Sequence, residues 1–149
     1  MKAIRQSIEI TRRPEDVFSY ATDFAKFPEW QVGAVSVRPI GNSPAGTGGA
    51  QAAVIRKVGP ARFARTEIIS RYHPPRTWTV HGVGGPLTAN VHGTIEPVRD
   101  GTQSRVTIDM DFEGRGMGRV LIPSAARRAA RKQLPQNLQN LKRVLEQDR

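Results

Sequence analysis

Residues 105–113 alternate between apolar and polar side chains more regularly than any other part of the chain. A period of two places the apolar side chains on one face of a β-strand and the polar ones on the other. We therefore predict a strand that is buried on one face and wet on the other, and the buried face needs a second layer to cover it. The apolar members are Val106, Ile108, Met110 and Phe112, and the polar members are Thr107, Asp109, Asp111 and Glu113.

The C-terminal part of the chain changes to a helical period. Its apolar residues recur at intervals of three and four, which is typical of a helix with one buried face. A proline inside this run predicts either a kink near residues 133–135 or the end of one helix and the start of another. The stripe consists of Ala126, Ala130, Leu134, Leu138, Leu141 and Leu145, and the proline is Pro135.

The predicted order of elements is a strand, two short helices, about six antiparallel strands and a long C-terminal helix. This order indicates an α+β fold, in which a curved antiparallel sheet of about seven strands packs against the terminal helix. Such a pairing tends to leave a cleft walled by apolar side chains. At 149 residues the chain fits one domain, 1–149. The clearest predicted strands are 2–10, 51–58, 62–72, 78–83, 87–98 and 105–113.

The charge of the chain is concentrated at its C-terminal end. The formal net charge is +10, and residues 115–149 hold nine basic and two acidic residues. We place this excess on the solvent side of the terminal helix, where it can contact an anionic membrane transiently. Nucleic acid is not a predicted partner, because the helix that would enter a groove is needed to cover the sheet. The basic flank consists of Arg127, Arg128, Arg131 and Lys132.

Several classes of protein are excluded by composition. The chain contains no cysteine, which excludes disulfides, cysteine-based zinc or iron–sulfur sites and thiol nucleophiles. No apolar run approaches the roughly 18 residues of a membrane span, and the first residues do not resemble a signal peptide, so we expect a cytoplasmic protein. The sequence predicts no cofactor and no particular oligomeric state.

Two histidines fall on neighbouring predicted strands. If Val80 pairs with Gly93 across the hairpin, His81 lies opposite His92 on the face away from Trp78 and Val80. Two imidazoles on one face can bind a metal ion or serve as a general base. A wet face and the lack of a carboxylate placed to orient either ring favour a surface role instead. We therefore predict no metal site.

Arg65 and Glu67 share one face of the strand predicted over 62–72, and Arg71 lies further along the same face. If that face lines the cleft, burial would raise the pKa of the Glu67 carboxyl group and suit it to acid–base catalysis. Arg65 and Glu67 are therefore the candidate catalytic residues. Ile68 and Ile69 point to opposite faces, so the pattern leaves the inward face of this strand open.

Three segments resemble the START-like (SRPBCC) superfamily, whose members include polyketide cyclase/dehydrase-like proteins and relatives of the birch pollen allergen. Residues 8–30 resemble its opening, with a Pro-Glu-x-Val-Phe helix and an Asp-x-x-x-x-Pro-x-Trp turn. Residues 72–76 resemble its Pro-Pro turn, and residues 131–146 resemble its terminal helix, proline included. The resemblance covers essentially the whole chain and implies the helix-grip fold. The superfamily hosts binding proteins, lipid carriers, cyclases and hydrolases, so the resemblance alone does not fix a function.

We expect the chain to bind or transport a small hydrophobic molecule, such as a lipid or polyketide, in the cleft between sheet and helix. Aromatic residues make up only 6% of the chain, which favours an aliphatic wall and a greasy ligand. The alternatives are a cyclase or dehydrase activity, which the resemblance implies but no residue pattern demands, and peripheral membrane association through the basic helix. The predicted ligand-binding residues are Trp30, Trp78, Val80, Val91, Met110, Phe112, Met117 and Leu121.

Overall fold

The computed structural model describes residues 4–41, 48–58, 60–84, 87–114 and 121–147. Its helices and strands follow the predicted order. The strands are β1 (Ile4–Ile10), β2 (Ala34–Ile40), β3 (Gln51–Val58), β4 (Ala61–His73), β5 (Thr77–Val83), β6 (Leu87–Val98) and β7 (Gln103–Gly114). The helices are α1 (Pro14–Ala21), α2 (Phe27–Trp30) and α3 (Leu121–Gln147), with a short 3-10 helix at Phe24–Lys26.

The strands form one antiparallel sheet in the order β1-β7-β6-β5-β4-β3-β2. From β2 to β7 each strand pairs with the next one along the chain. β1 joins the sheet beside β7, from Ile4 opposite Met110 to Ile10 opposite Ser104. The predicted α+β helix-grip architecture, with a curved sheet of seven strands and a long C-terminal helix, is confirmed.

β7 is buried on one face and exposed to solvent on the other, as its alternating sequence predicts. Val106 and Ile108 are buried in the core, whereas the carboxylate of Asp109 lies on the outer face. There it accepts a hydrogen bond from Nε of Arg5 on β1, at 2.6 Å. This exposed pair contributes little to stability, because water screens it.

A bulge in β4 corrects the predicted phase of its second half. The pairing with β5 shifts by one residue between Ile69 and Arg71. An extra residue in one strand reverses which side chains point inward beyond it. Ile69 and Tyr72 therefore pack against the core, and Arg71 is exposed instead of sharing the inner face with Glu67.

The predicted register between β5 and β6 is wrong by two residues. Gly93 lies opposite Trp78 and not opposite Val80, so His81 pairs with Asn90 and His92 pairs with Thr79. The large indole of Trp78 fits over Gly93 because residue 93 has no side chain. The two histidines are therefore not directly opposite each other, although both lie on the outer face.

α3 is one helix that continues through Pro135. This corrects the alternative of two successive helices, and the apolar stripe from Ala126 to Leu145 is buried as predicted. Arg127 departs from the predicted basic flank, because only 8% of it is exposed. Arg128, Arg131 and Lys132 do lie in solvent.

The second half of α3 is held against the start of the chain. Asn137 Oδ1 accepts the backbone N–H of Val32 at 2.8 Å, and Asn140 Nδ2 donates to the carbonyl of Trp30 at 3.2 Å. Near its end, the Lys142 ammonium donates to the carbonyl of Glu9 at 2.8 Å. α3 thus packs mainly on β1, β7 and α2, and its first half spans the inner face of the middle strands.

Candidate functional site

A cavity lies between the inner face of the sheet, α2 and the first half of α3. The centre of a water molecule can occupy a volume of about 100 Å³ inside this cavity. One water needs roughly 10–15 Å³ on this measure, so the cavity has room for roughly seven to ten waters or one small organic molecule. Most of its wall is apolar, which favours the burial of a hydrophobic group.

Six of the eight predicted ligand-binding residues line this cavity. They come from α2 and from three neighbouring strands, and the antiparallel pairing brings them onto one surface. Met117 lies outside the described residues, and Leu121 begins α3 with a side chain that is not described. The six lining residues are Trp30, Trp78, Val80, Val91, Met110 and Phe112.

The two tryptophans are core residues as well as wall residues. Trp78 meets Phe18 edge-on with ring centroids 5.7 Å apart, and Trp30 meets Phe27 in the same way at 6.1 Å. Both indoles are almost fully buried. Among the described residues, Trp30 Nε1 is the one buried side-chain nitrogen or oxygen that has no hydrogen-bond partner.

One part of the cavity wall is charged. The carboxylate of Glu67 is 1% exposed and lies between two guanidinium groups, those of Arg56 on β3 and Arg65 on its own strand. Arg56 donates from Nε and from Nη2, both at 2.8 Å, and Arg65 donates from Nε at 3.0 Å. The side chains of the two arginines are themselves only 16% and 7% exposed.

The local sequence explains how three long side chains fit together here. Glu67 lies opposite Ala52 on one side and opposite Gly82 on the other, and both are too small to fill the space above the sheet. The guanidinium of Arg65 lies over Gly82, where a side-chain Cβ would come within 2.8 Å of its Nε.

Each arginine also lies near an aromatic ring. The guanidinium carbon of Arg56 is 5.9 Å from the ring centroid of Phe27, and that of Arg65 is 5.9 Å from the ring centroid of Phe63. A cation over an aromatic face is attracted by the electron density of the ring. Both guanidinium groups therefore contact an aromatic ring as well as Glu67.

The pKa of Glu67 is lowered, whereas burial alone was expected to raise it. Burial is the largest single influence on its pKa and raises it, but the charges and hydrogen bonds of Arg56 and Arg65 together outweigh burial and lower the pKa from 4.5 to about 2. Glu67 is therefore ionised at neutral pH. A carboxylate held in this way is a poor proton donor, and a catalytic role for Glu67 and Arg65 stays a prediction.

Arg56 is the member of this cluster that sequence reasoning missed. It lies eleven residues before Glu67 in the chain, on a different strand. The alternation along β3 could have revealed it. Ala52 and Val54 are buried, and Arg56 is the next residue that points to the same face. A charged residue in phase with buried ones indicates a partner inside the protein.

On the outer face of the sheet, each of the two histidines is hydrogen-bonded to a polar side chain of the neighbouring strand. Thr79 Oγ1 and His92 Nδ1 are 2.9 Å apart, and His81 is hydrogen-bonded to Asn90. Across the described ranges, no group of three or more His, Asp or Glu side chains is arranged to hold a metal ion. None of the described helices is long and apolar enough to cross a membrane.

A curved antiparallel sheet around a long C-terminal helix, with a cavity between them, is the helix-grip architecture of START-like proteins. The model of the family described as polyketide cyclase/dehydrase and lipid transport matches residues 1–146. The chain belongs to this family. No protein of curated function matches the sequence.

Solved structures agree on the fold. The di-domain ARO/CYC protein BexL from the BE-7585A biosynthetic pathway is similar, with a TM-score of 0.75 and 15% identity over 98% of this chain. This chain spans about half of BexL, 47% of its length. A START superfamily protein from Mycobacterium smegmatis has a TM-score of 0.75 and 13% identity, over 97% of this chain and 99% of the other. For Ara h 8.0201 the TM-score is 0.67 and the identity is 11%, over 95% of each chain.

Proposed function

We propose that this protein binds a small hydrophobic molecule in the cavity under the first half of α3. The observation that carries the proposal is a mostly apolar cavity between the sheet and the first half of α3, which lines it in part with small alanine side chains. Apolar area removed from water stabilises a complex by about 25 cal/mol per Å² before the cost of ordering is subtracted. The family to which the chain belongs includes both cyclases and lipid carriers, which supports a hydrophobic ligand.

Binding is favoured over catalysis by the state of Glu67. It is the one carboxylate among the described residues that line the cavity, and its two arginine partners keep it ionised. Proton transfer in a cyclase or dehydrase needs a group whose pKa lies near the working pH. Glu67, with its pKa lowered to about 2, does not meet this requirement.

The test is to fill the cavity from α3 and measure binding of octan-1-ol by titration calorimetry. Ala129 is half-buried and lines the cavity, so Ala129→Phe places a ring inside it. Ala125 lies one turn earlier on the same face of the helix, where it is exposed and does not line the cavity, so Ala125→Phe is the matched control. We expect Ala129→Phe to weaken binding by about tenfold or more, while Ala125→Phe changes it less than about twofold.

Thermal unfolding of both variants shows whether they remain folded. A wild-type protein that binds none of octan-1-ol, octanoate and octanamide would overturn the proposal. Equal weakening by the two phenylalanines would also overturn it, because the binding would then not depend on the cavity.

A further inference from the structure

The charged part of the cavity wall is not neutral. Glu67 supplies one negative charge, and Arg56 and Arg65 supply two positive charges around it. Lys57, an exposed lining residue, adds a third, and no other carboxylate belongs to the described part of the wall. A buried charge without a counter-charge is unfavourable, so this cluster favours a further anion.

The two arginines also have N–H groups that do not donate to Glu67. A guanidinium group has five N–H donors, of which Arg56 gives two to Glu67 and Arg65 gives one. The terminal nitrogens of Arg65 donate no hydrogen bond to any of the residues that the structure describes. Burial is the largest influence on the pKa of Arg65 and lowers it, and the nearby charge of Arg56 acts in the same direction. The charge of a second anion would offset both effects.

Trp30 gives an independent sign of a ligand oxygen. Its ring is next to Phe27, and Phe27 lies under the guanidinium of Arg56, so the indole belongs to the same end of the cavity. Its Nε1–H is buried and has no acceptor among the described residues. An unsatisfied buried donor is costly, and an indole N–H can only donate. The missing partner must therefore be an acceptor.

From these three observations we propose that the ligand is a small hydrophobic carboxylic acid, bound as the monoanion. Its carboxylate lies at Arg65 and Arg56 within reach of Trp30 Nε1, and its apolar part lies against Trp78, Val80 and Met110. The available space suits an acid of roughly ten non-hydrogen atoms. This inference rests on the proposed function and adds the charge and size class of the ligand.

The experiment compares octanoate with octanamide, which has nearly the same shape but no charge, by titration calorimetry at neutral pH. We expect octanoate to bind the wild-type protein about tenfold more tightly than octanamide, because only the acid compensates the excess positive charge. In Arg65→Gln this advantage disappears. Trp30→Phe keeps an aromatic ring but removes the N–H, and we expect it to weaken octanoate by about tenfold.

Arg71→Gln is the matched control, because it makes the same change on the same strand but on the exposed face. It should leave the advantage of octanoate unchanged. Octanamide binding as tightly as octanoate in the wild-type protein would overturn the inference, and this comparison needs no variant to fold. Equal losses in Arg65→Gln and Arg71→Gln would overturn it too, since the effect would then be general electrostatic attraction.

Octan-1-ol separates the two levels of the proposal. If octan-1-ol binds and octanoate has no advantage over octanamide, the cavity takes hydrophobic ligands but not acids, and only the further inference fails. If none of the three compounds binds, the proposed function and the further inference fail together.

Discussion

The indole of Trp78 lies across Gly93 on the neighbouring strand, and its six-membered ring occupies the place where a side chain of residue 93 would begin. The backbone of Gly93 has no positive φ, so its glycine is required by this contact and not by the turn of the chain. Trp78 reaches both Phe18 and the cavity from that position. The placement of one wall of the cavity therefore depends on a missing side chain.

Gly93→Ala should destabilise the protein by about 1–3 kcal/mol, because the new methyl group forces Trp78 out of its rotamer in a packed core. Urea unfolding measures the loss. In a Trp78→Leu background the same substitution should cost clearly less, because the ring that it meets is gone. Additive effects of the two changes would show that the contact is not the reason for glycine at this position.

Gly82→Ala introduces a clash with Arg65 that is milder than the clash of Gly93→Ala with Trp78. The added Cβ meets the end of the flexible Arg65 side chain, which can move away. We expect a smaller loss of stability than in Gly93→Ala, together with a reduced preference for octanoate over octanamide, because Arg65 no longer stays at its position. Calorimetry with the two compounds checks this prediction, and an undiminished preference would contradict it.

Glu67→Gln should destabilise the protein by about 3–5 kcal/mol, because it leaves two guanidinium groups buried without a counter-charge. Glu9→Gln is the control, since Glu9 pairs with Arg105 at 2.9 Å where both side chains are nearly half exposed. Pairs of that kind are worth at most about 1 kcal/mol. Free energies of unfolding from urea titrations give both values. Similar small losses for the two variants would mean that the buried cluster is no more stabilising than a surface pair.

The stabilising effect of Glu67 should depend on pH in a defined window. Its pKa in the folded protein is lowered from 4.5 to about 2, so the folded state favours the ionised form. The resulting contribution, on the order of 3 kcal/mol, is fully present above about pH 5 and is lost as the pH falls toward 2. The difference in unfolding free energy between the wild type and Glu67→Gln should therefore be constant near neutrality and shrink in acid. A difference that grows in acid would contradict the direction of the shift.

Pro135→Ala should stabilise the protein by about 1–3 kcal/mol. Pro135 lies inside α3 and cannot donate the backbone hydrogen bond that alanine would restore. Gln139→Ala, on the exposed side of the same helix, should change stability by less than about 0.5 kcal/mol. Both values come from urea unfolding. A loss of stability in Pro135→Ala would show that the packing of the half-buried ring matters more than the restored hydrogen bond.

Most of the fold could be predicted because its signals are local. The alternation around Ile108 and the leucine stripe from Leu134 to Leu145 each define a buried face within one element. Faces of this kind assemble in few ways, and the order of elements selects among them. The inward placement of Trp78 and Met110 follows from the same periodicity.

The details that failed depend on contacts between distant residues. The register of β5 against β6 follows from the fit of Trp78 over Gly93, and the exposure of Arg71 follows from one extra residue in β4. The pKa of Glu67 depends on Arg56, whose strand position no pattern around Glu67 reveals. Periodicity shows which face of a strand is buried, but not which residue of the next strand lies beside it.

The position of β1 affects the order in which this protein can fold during synthesis. β1 is synthesised before the other strands, but its strand partner is β7. Arg5 can therefore pair with Asp109 only after most of the chain has left the ribosome. Contacts between residues so far apart in the chain close slowly, and a nascent chain with unpaired strands is prone to aggregate. In a chain truncated before β7, β1 has no strand to pair with. We expect this truncated protein to be insoluble, although it contains most of the strands of the sheet.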